Sequence, residues 1–260
     1  MYFVNIAFLL SRLETLRNEF NSSVPFRHII IDDFLDKNKA EDLLSNYPLP
    51  TDEVWHKTTY IHQKGKLQKA SFDKGSAYDT LFAELNSKEL TDFLEQLTGI
   101  KSIVPDNTLF GAGLHQSLNG AFLDVHVDFN IHPTTRFYRR LNLLIFLNKN
   151  WQPEYGGELE LWDMEKKVCV EKILPSFNRC VIFETNEKSF HGHPVPLNVP
   201  EGVTRKSLAV YYYTKEAPAD LKGISEHNSI FVDTQGIKGK IKNLQSALIA
   251  LKERILNKIM

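Results

Sequence analysis

The spacing of apolar positions changes twice along the chain. Up to about residue 105 it is mostly helical. Leu13, Leu16 and Phe20 continue the apolar stretch Tyr2 to Leu10 at helical spacing, so an amphipathic helix is expected there. Asp36 to Tyr47 predicts a second helix, with Asp36 as its N-cap and Ala40, Leu43 and Leu44 on one face. Ala77 to Leu85 and Leu90 to Leu97 predict a helical pair that Gly99 closes. One short β-like run, Phe26 to Ile31, interrupts this zone, and Val54 to Asp73 reads as a loop.

From about Thr108 to Thr214 strands separated by turn signals take over. Leu141 to Leu147 is apolar except for Asn142, as in a strand buried on both faces. Asn148 to Gly157 is a loop by its Asn, Pro and Gly-Gly, and it opens into a strand at Glu158 to Trp162. Val168 to Leu174, Arg179 to Phe183 and Ser207 to Tyr213 continue the series. Many short strands at this spacing imply a sandwich or barrel rather than βαβ units. From Gly236 to Met260 the period is helical again, with Ile241, Leu244, Leu248, Leu251 and Ile255 in one stripe. The expected organisation is a support region over 1–105, a β core over 106–216 and an extension over 217–260, forming one structural domain.

Composition narrows the classes. The 260 residues suffice for one sizeable core, and a formal net charge of -1 argues against a general polyanion binder. No basic, aromatic-interleaved groove suggests nucleic acid. Cys169 and Cys180 sit in apolar β-like contexts, without disulfide or zinc spacing, and are expected as buried free thiols. Tyr2 to Leu10 lacks the basic leader and cleavage site of a signal peptide, and no apolar run is long enough to span a membrane, so a cytoplasmic protein is expected. The last helix carries Lys238, Lys240, Lys242, Lys252, Arg254 and Lys258 against Glu253 alone. This is either a solvated face on a docked helix or a contact for an acidic partner, a membrane surface or a second subunit.

The candidate chemistry lies in His126-Val127-Asp128. Residues i and i+2 of a strand share a side, so both can reach one ion. A third ligand must come from another strand, and His191 and His193 both qualify. Two imidazoles and a carboxylate form the three-ligand face of non-haem Fe(II) oxygenases, with the remaining positions open. Downstream, Arg205 offers a planar fork for a carboxylate, and Ser207 shares its side of the strand. Asn142, if buried, must bond either a bound small molecule or neighbouring backbone. Arg139 and Arg140 are expected at solvent or the pocket mouth, and Trp151, Trp162 and Tyr211 to Tyr213 in the core.

These motifs together resemble the 2-oxoglutarate and Fe(II)-dependent oxygenases, in particular the prolyl 4-hydroxylase-like group. The residues that carry the resemblance are His126-Val127-Asp128-Phe129-Asn130, Arg139-Arg140-Leu141-Asn142, Leu147-Asn148 with Trp151, Tyr155-Gly156-Gly157-Glu158-Leu159, Ser189-Phe190-His191-Gly192 and Arg205-Lys206-Ser207. The resemblance covers about Leu114 to Thr214. It implies a mainly β fold with flanking helices (α+β), in which a double-stranded β-helix of jelly-roll or cupin-like form carries N-terminal helices and a C-terminal helix. It makes His126, Asp128 and His191 the iron ligands. His193, followed by Pro194, becomes a pocket-lining or hydrogen-bonding residue. Arg205 and Ser207 would take the distal carboxylate of 2-oxoglutarate, with Asn142 and Gln116 as further cosubstrate contacts. Gln116 stands near where relatives place a tyrosine. The implied cofactors are Fe(II), 2-oxoglutarate and O2, with ascorbate as a candidate reductant. The implied reaction is hydroxylation of a prolyl or other peptidyl side chain, or of a small molecule, coupled to conversion of 2-oxoglutarate to succinate and carbon dioxide. In related halogenases a small residue replaces the carboxylate ligand, so Asp128 favours hydroxylation. The competing class is a cupin-like metalloprotein, an isomerase, cosubstrate-independent dioxygenase or binding module with the same ligand set, which has no use for Arg205.

Overall fold

The computed structural model describes residues 2–219, 223–232 and 234. The basic helix expected over Gly236 to Met260 lies outside the described residues. The N-terminal stretch forms two helices rather than one, α1 (Ile6–Ser11) and α2 (Leu13–Ser22), because Arg12 between them leaves helical geometry. Helices α3 (Lys37–Ser45), α4 (Ala77–Leu85) and α5 (Lys88–Thr98) start at the side-chain caps Asp36, Ser76 and Ser87. Gly99 ends α5 at φ 76°, a left-handed conformation that favours glycine. Strand β1 is His28–Ile31, and β4 is the short Val104–Pro105.

The segment expected as a loop, Val54 to Asp73, contains a hairpin of β2 (His56–Tyr60) and β3 (Gln63–Lys69). Its strand pattern is hidden because Gln63, Lys66 and Gln68 face a polar cavity instead of an apolar core. The remaining strands are β5 (Gly113–Val127), β6 (Tyr138–Phe146), β7 (Leu159–Asp163), β8 (Val168–Ile173), β9 (Arg179–Glu184), β10 (Phe190–His193), β11 (Arg205–Thr214) and β12 (Ile230–Phe231).

The sheet runs β1-β9-β6-β11-β5-β10-β7-β8, antiparallel throughout. Strand β5 joins its two halves. Its first part pairs with β11 and its last part with β10, while β3 occupies its other edge. This is a double-stranded β-helix, mainly antiparallel and backed by the N-terminal helices. The helices bury Leu16, Phe20, Leu43, Leu81, Leu90, Phe93 and Leu97 in one cluster with Leu141, Leu143, Ile145 and Ile182 of the sheet. Alternation along β6 therefore sends Leu141, Leu143 and Ile145 to that cluster and Asn142, Leu144 and Phe146 to a cavity between the sheet halves. Among the described residues no helix is long and apolar enough to cross a membrane.

Candidate metal centre and its cavity

His126 lies near the end of β5 and is the cross-strand partner of His191 on β10, so the two rings stand 4.6 Å apart between centroids. Asp128 follows β5 by one residue, and its carboxylate oxygens lie 3.6 Å from Nε2 of each histidine. One donor atom from each of the three residues falls within 4.8 Å of the others. The proton positions are legible as well. Nδ1 of His126 is 2.9 Å from the Asp124 carbonyl, and Nδ1 of His191 is 2.9 Å from the Ser189 carbonyl. A carbonyl only accepts, so each Nδ1 carries the proton and each Nε2 turns a lone pair toward Asp128. Metal-binding histidines are oriented by such bonds to the far ring nitrogen. Burial, partly opposed by Asp128, lowers the pKa of His191 to about 4, which keeps its ring neutral near pH 7.

Asp128 is held from behind. Asn142 Nδ2 donates to its Oδ2 at 2.8 Å, and Arg139 Nη2 lies 3.1 Å from the same oxygen. Asn142 Oδ1 in turn accepts from Arg139 Nε and Nη2 at 3.0 and 2.7 Å. The guanidinium stacks 3.5 Å over Tyr211 and faces Phe129. Burial alone would push the Asp128 carboxyl up, but Arg139, His191 and His126 outweigh it and hold it well below the ordinary value. Of the two positions expected for Arg139, solvent or the pocket mouth, the structure gives neither as such: it lines the cavity from within, only 2% exposed, and braces a carboxylate, while Tyr211 beneath it belongs to the core cluster as expected and also forms part of the cavity wall. Asn142 bonds neither backbone nor an open position; its partners are Asp128 and Arg139.

The cavity measures about 250 Å³. Arg205 and Ser207 project into it from β11, and Ser117 and His115, their β5 partners, line the same wall. Arg205 Nε donates to the Gly157 carbonyl at 2.6 Å. Burial lowers its pKa to about 10, so it remains a cation. Gly157 has φ 75°, and a Cβ there would stand 3.0 Å from Arg205 Cδ and 2.4 Å from Leu197 Cδ2. Only glycine permits this approach. His193 also lines the cavity, away from the three-donor cluster, and its buried Nδ1 has no hydrogen-bond partner.

Gln116 is not among the cavity-lining residues. Because side chains alternate along β5, His115 and Ser117 face inward and Gln116 faces away, where Nε2 donates to Thr204 Oγ1 at 2.7 Å. Sequence reasoning missed Lys66, Gln68 and His115 as cavity residues. The polar i, i+2 pairs Lys66/Gln68 and His115/Ser117 are the signal that could have found them.

Comparison with known proteins agrees with this geometry. Residues 112–213 match the family model of the 2OG-Fe(II) oxygenase superfamily. Prolyl 3-hydroxylase OGFOD1 of Mus musculus is 32% identical over 79 residues, which is 29% of this chain and 14% of the mouse protein. The matched stretch thus spans a small part of that relative. Among solved structures, a prolyl hydroxylase in complex with a hypoxia inducible factor peptide fragment, from Trichoplax adhaerens, superposes with a TM-score of 0.55 at 18% identity, over 79% of this chain and 92% of that one. A Pseudomonas putida prolyl-4-hydroxylase gives 0.53 at 16% identity, over 77% and 99%. These structures share the fold. Residues 112–213, which hold the clustered His126, Asp128 and His191, are therefore similar to the 2OG-Fe(II) oxygenase superfamily.

Proposed function

We propose that the protein is an Fe(II)- and 2-oxoglutarate-dependent dioxygenase that hydroxylates an organic substrate. One observation carries this reading: two histidines with committed Nδ1 protons and one braced carboxylate converge in the same cavity as an arginine that forms no ion pair within 4.0 Å among the described residues. His126, Asp128 and His191 would hold the iron through two Nε2 atoms and a carboxylate oxygen, a donor set that suits ferrous iron and leaves the opposite face open. Arg205 and Ser207 would take the distal carboxylate of 2-oxoglutarate, Arg205 through the two guanidinium nitrogens not committed to Gly157. When bound, iron and 2-oxoglutarate use dioxygen to generate the oxidant, with succinate and carbon dioxide as coproducts. The chain's own part is orientation and exclusion of water. Asn142 and Arg139 fix Asp128, and Leu144, Phe146 and Leu159 wall the cavity with apolar surface.

Tyr60 of the β2–β3 hairpin and Phe231 of β12, whose rings meet edge to face at 5.8 Å, line the cavity beside His126 and would flank the bound substrate. A prolyl residue in a peptide is the first candidate, because the mouse relative and the solved neighbours are named as prolyl hydroxylases. An aromatic wall also suits its apolar ring. Succinate release from 2-oxoglutarate, measured with ferrous iron over proline-containing peptides, free amino acids and sugars, tests both parts. Stimulation by a proline peptide is expected. Absence of both 2-oxoglutarate binding and turnover would refute the activity, and stimulation only by another class would refute the prolyl assignment.

A further inference from the structure

Lys66 shares the cavity with Arg205 and has no role so far. On one row across the sheet, β3, β5 and β11 place Lys66, Ser117 and Arg205 side by side, since Ser117 is the register partner of both. The next row is Gln68, His115 and Ser207, and all six side chains line the cavity. With neighbouring strands about 4.8 Å apart, the two cations flank Ser117 at a Cα separation of roughly 10 Å. Their long side chains can meet over it.

Neither cation makes an ion pair within 4.0 Å among the described residues. Arg205 is bonded to one backbone carbonyl, and the Lys66 ammonium has no hydrogen-bond partner among the described residues. Among the described residues the only carboxylate on the cavity wall, Asp128, is already neutralised by Arg139. Arg205 is buried and Lys66 partly so, and Glu158 acts on Arg205 only from beyond ion-pair distance; two such cations over one serine are costly to hold there unless an anion joins them. His115 Nε2, in the same wall, is a buried atom without a hydrogen-bond partner among the described residues. Burial lowers Lys66 to about 8, in keeping with an ammonium that lacks its counter-charge.

We propose that Lys66 is a second anchor for the distal carboxylate of the cosubstrate, gripping it from the β3 side while Arg205 and Ser207 grip it from β11. This rests on the reading that the cavity takes 2-oxoglutarate. It makes the N-terminal hairpin part of the cosubstrate site as well as of the wall beside the substrate.

Calorimetric titration of the Mn(II)-loaded protein with 2-oxoglutarate and, separately, with oxalate tests the role without turnover. Oxalate can chelate the metal but has no distal carboxylate. Lys66→Met should weaken 2-oxoglutarate roughly tenfold to a hundredfold, the range of one lost charge-assisted bond. It should leave oxalate unchanged, and Lys66→Arg should restore most of the loss. Arg205→Met, as a reference, should weaken 2-oxoglutarate in the same selective manner. Unchanged 2-oxoglutarate affinity in Lys66→Met, with Arg205→Met impaired, would overturn the anchor and leave the cosubstrate reading standing. Parallel loss of oxalate would also overturn it, by showing a general disturbance of the site. Failure of the wild-type protein to bind 2-oxoglutarate at all would overturn both.

Discussion

Replacing Asn142 with leucine tests the brace behind the metal centre. The change keeps the approximate volume and removes three hydrogen bonds, a partly buried one at 2.8 Å and two buried ones at 3.0 and 2.7 Å, each to a charged partner. Bonds to charged groups contribute about 1.5–3 kcal/mol each. They do not add here, because one guanidinium shares two of them and keeps its pairing with Asp128 at 3.1 Å and its stacking on Tyr211. A total of about 3 kcal/mol is therefore expected, or a fall in melting temperature of roughly 6–12 °C for a chain of this length. The functional effect has a separate origin. Freed from Asn142, Asp128 can turn toward Arg139, and groups that orient a metal ligand typically account for about 10–100-fold in metal affinity. Thermal denaturation of the metal-free protein measures the first effect, and titration with Mn(II) the second. A variant that binds Mn(II) within about a factor of two of wild type would refute the claim that Asn142 orients the ligand, whatever its stability.

Three other outcomes are expected. His191→Ala should lose bound iron, whereas His193→Ala should retain it, and metal analysis of the two purified variants decides the third ligand. Gly192→Ala should cost about 1–3 kcal/mol, because a Cβ there would meet the Leu123 and Asp124 carbonyl oxygens at 2.8 and 2.9 Å, both in backbone that cannot swing aside; a melting temperature equal to wild type would contradict this packing. Affinity for 2-oxoglutarate should fall as pH rises through about 8, where empty-site Lys66 loses its charge under burial, Arg205 and Arg139, opposed by Asp128. Lys66→Arg should flatten that dependence, since an arginine stays charged across the range.

What the sequence disclosed follows the kind of signal each residue leaves. His126, Asp128, His191, Arg205 and Ser207 were legible as candidates from residue type, order and i, i+2 spacing, and the structure brings all five to one cavity. The helices of 36–47 and 77–98 were legible from caps and period. Register was not legible. Gln116 and His115 differ by one position, and only the pairing of β5 with β11 shows that His115 faces inward and Gln116 outward. The β2–β3 hairpin escaped for a related reason: strand patterns are sought as apolar alternation, and its inward side chains are Gln63, Lys66 and Gln68. An arginine beside a second arginine reads as facing solvent or the pocket mouth, yet Arg139 is buried inside the cavity wall because Asp128 and Asn142 satisfy it, while Arg140 pairs with Glu184.

The spacing between the cationic row and the metal depends on an irregularity in β5. Lys66 stands opposite Ser117 and Lys64 opposite Phe122, so five steps of β5 run alongside two steps of β3. At about 3.3 Å per residue, the three surplus residues shorten the strand by roughly 10 Å relative to a regular one. Gly120, at φ 73°, and Gly65, whose Cβ would stand 3.0 Å from that of Ala121, make the fold-out sterically feasible. Leu197 pins it, accepting from Gly120 N at 2.8 Å and donating to the Ala121 carbonyl at 2.9 Å. Leu197 also packs where a Gly157 side chain would be, and Gly157 holds Arg205. The bulge therefore does two things through one loop: it draws Ser117 toward the His126 end of β5, and it supports the residue that aims Arg205. With a regular β5 between them, the same ligands and the cations of β3 and β11 would stand too far apart for a single short dicarboxylate to reach both.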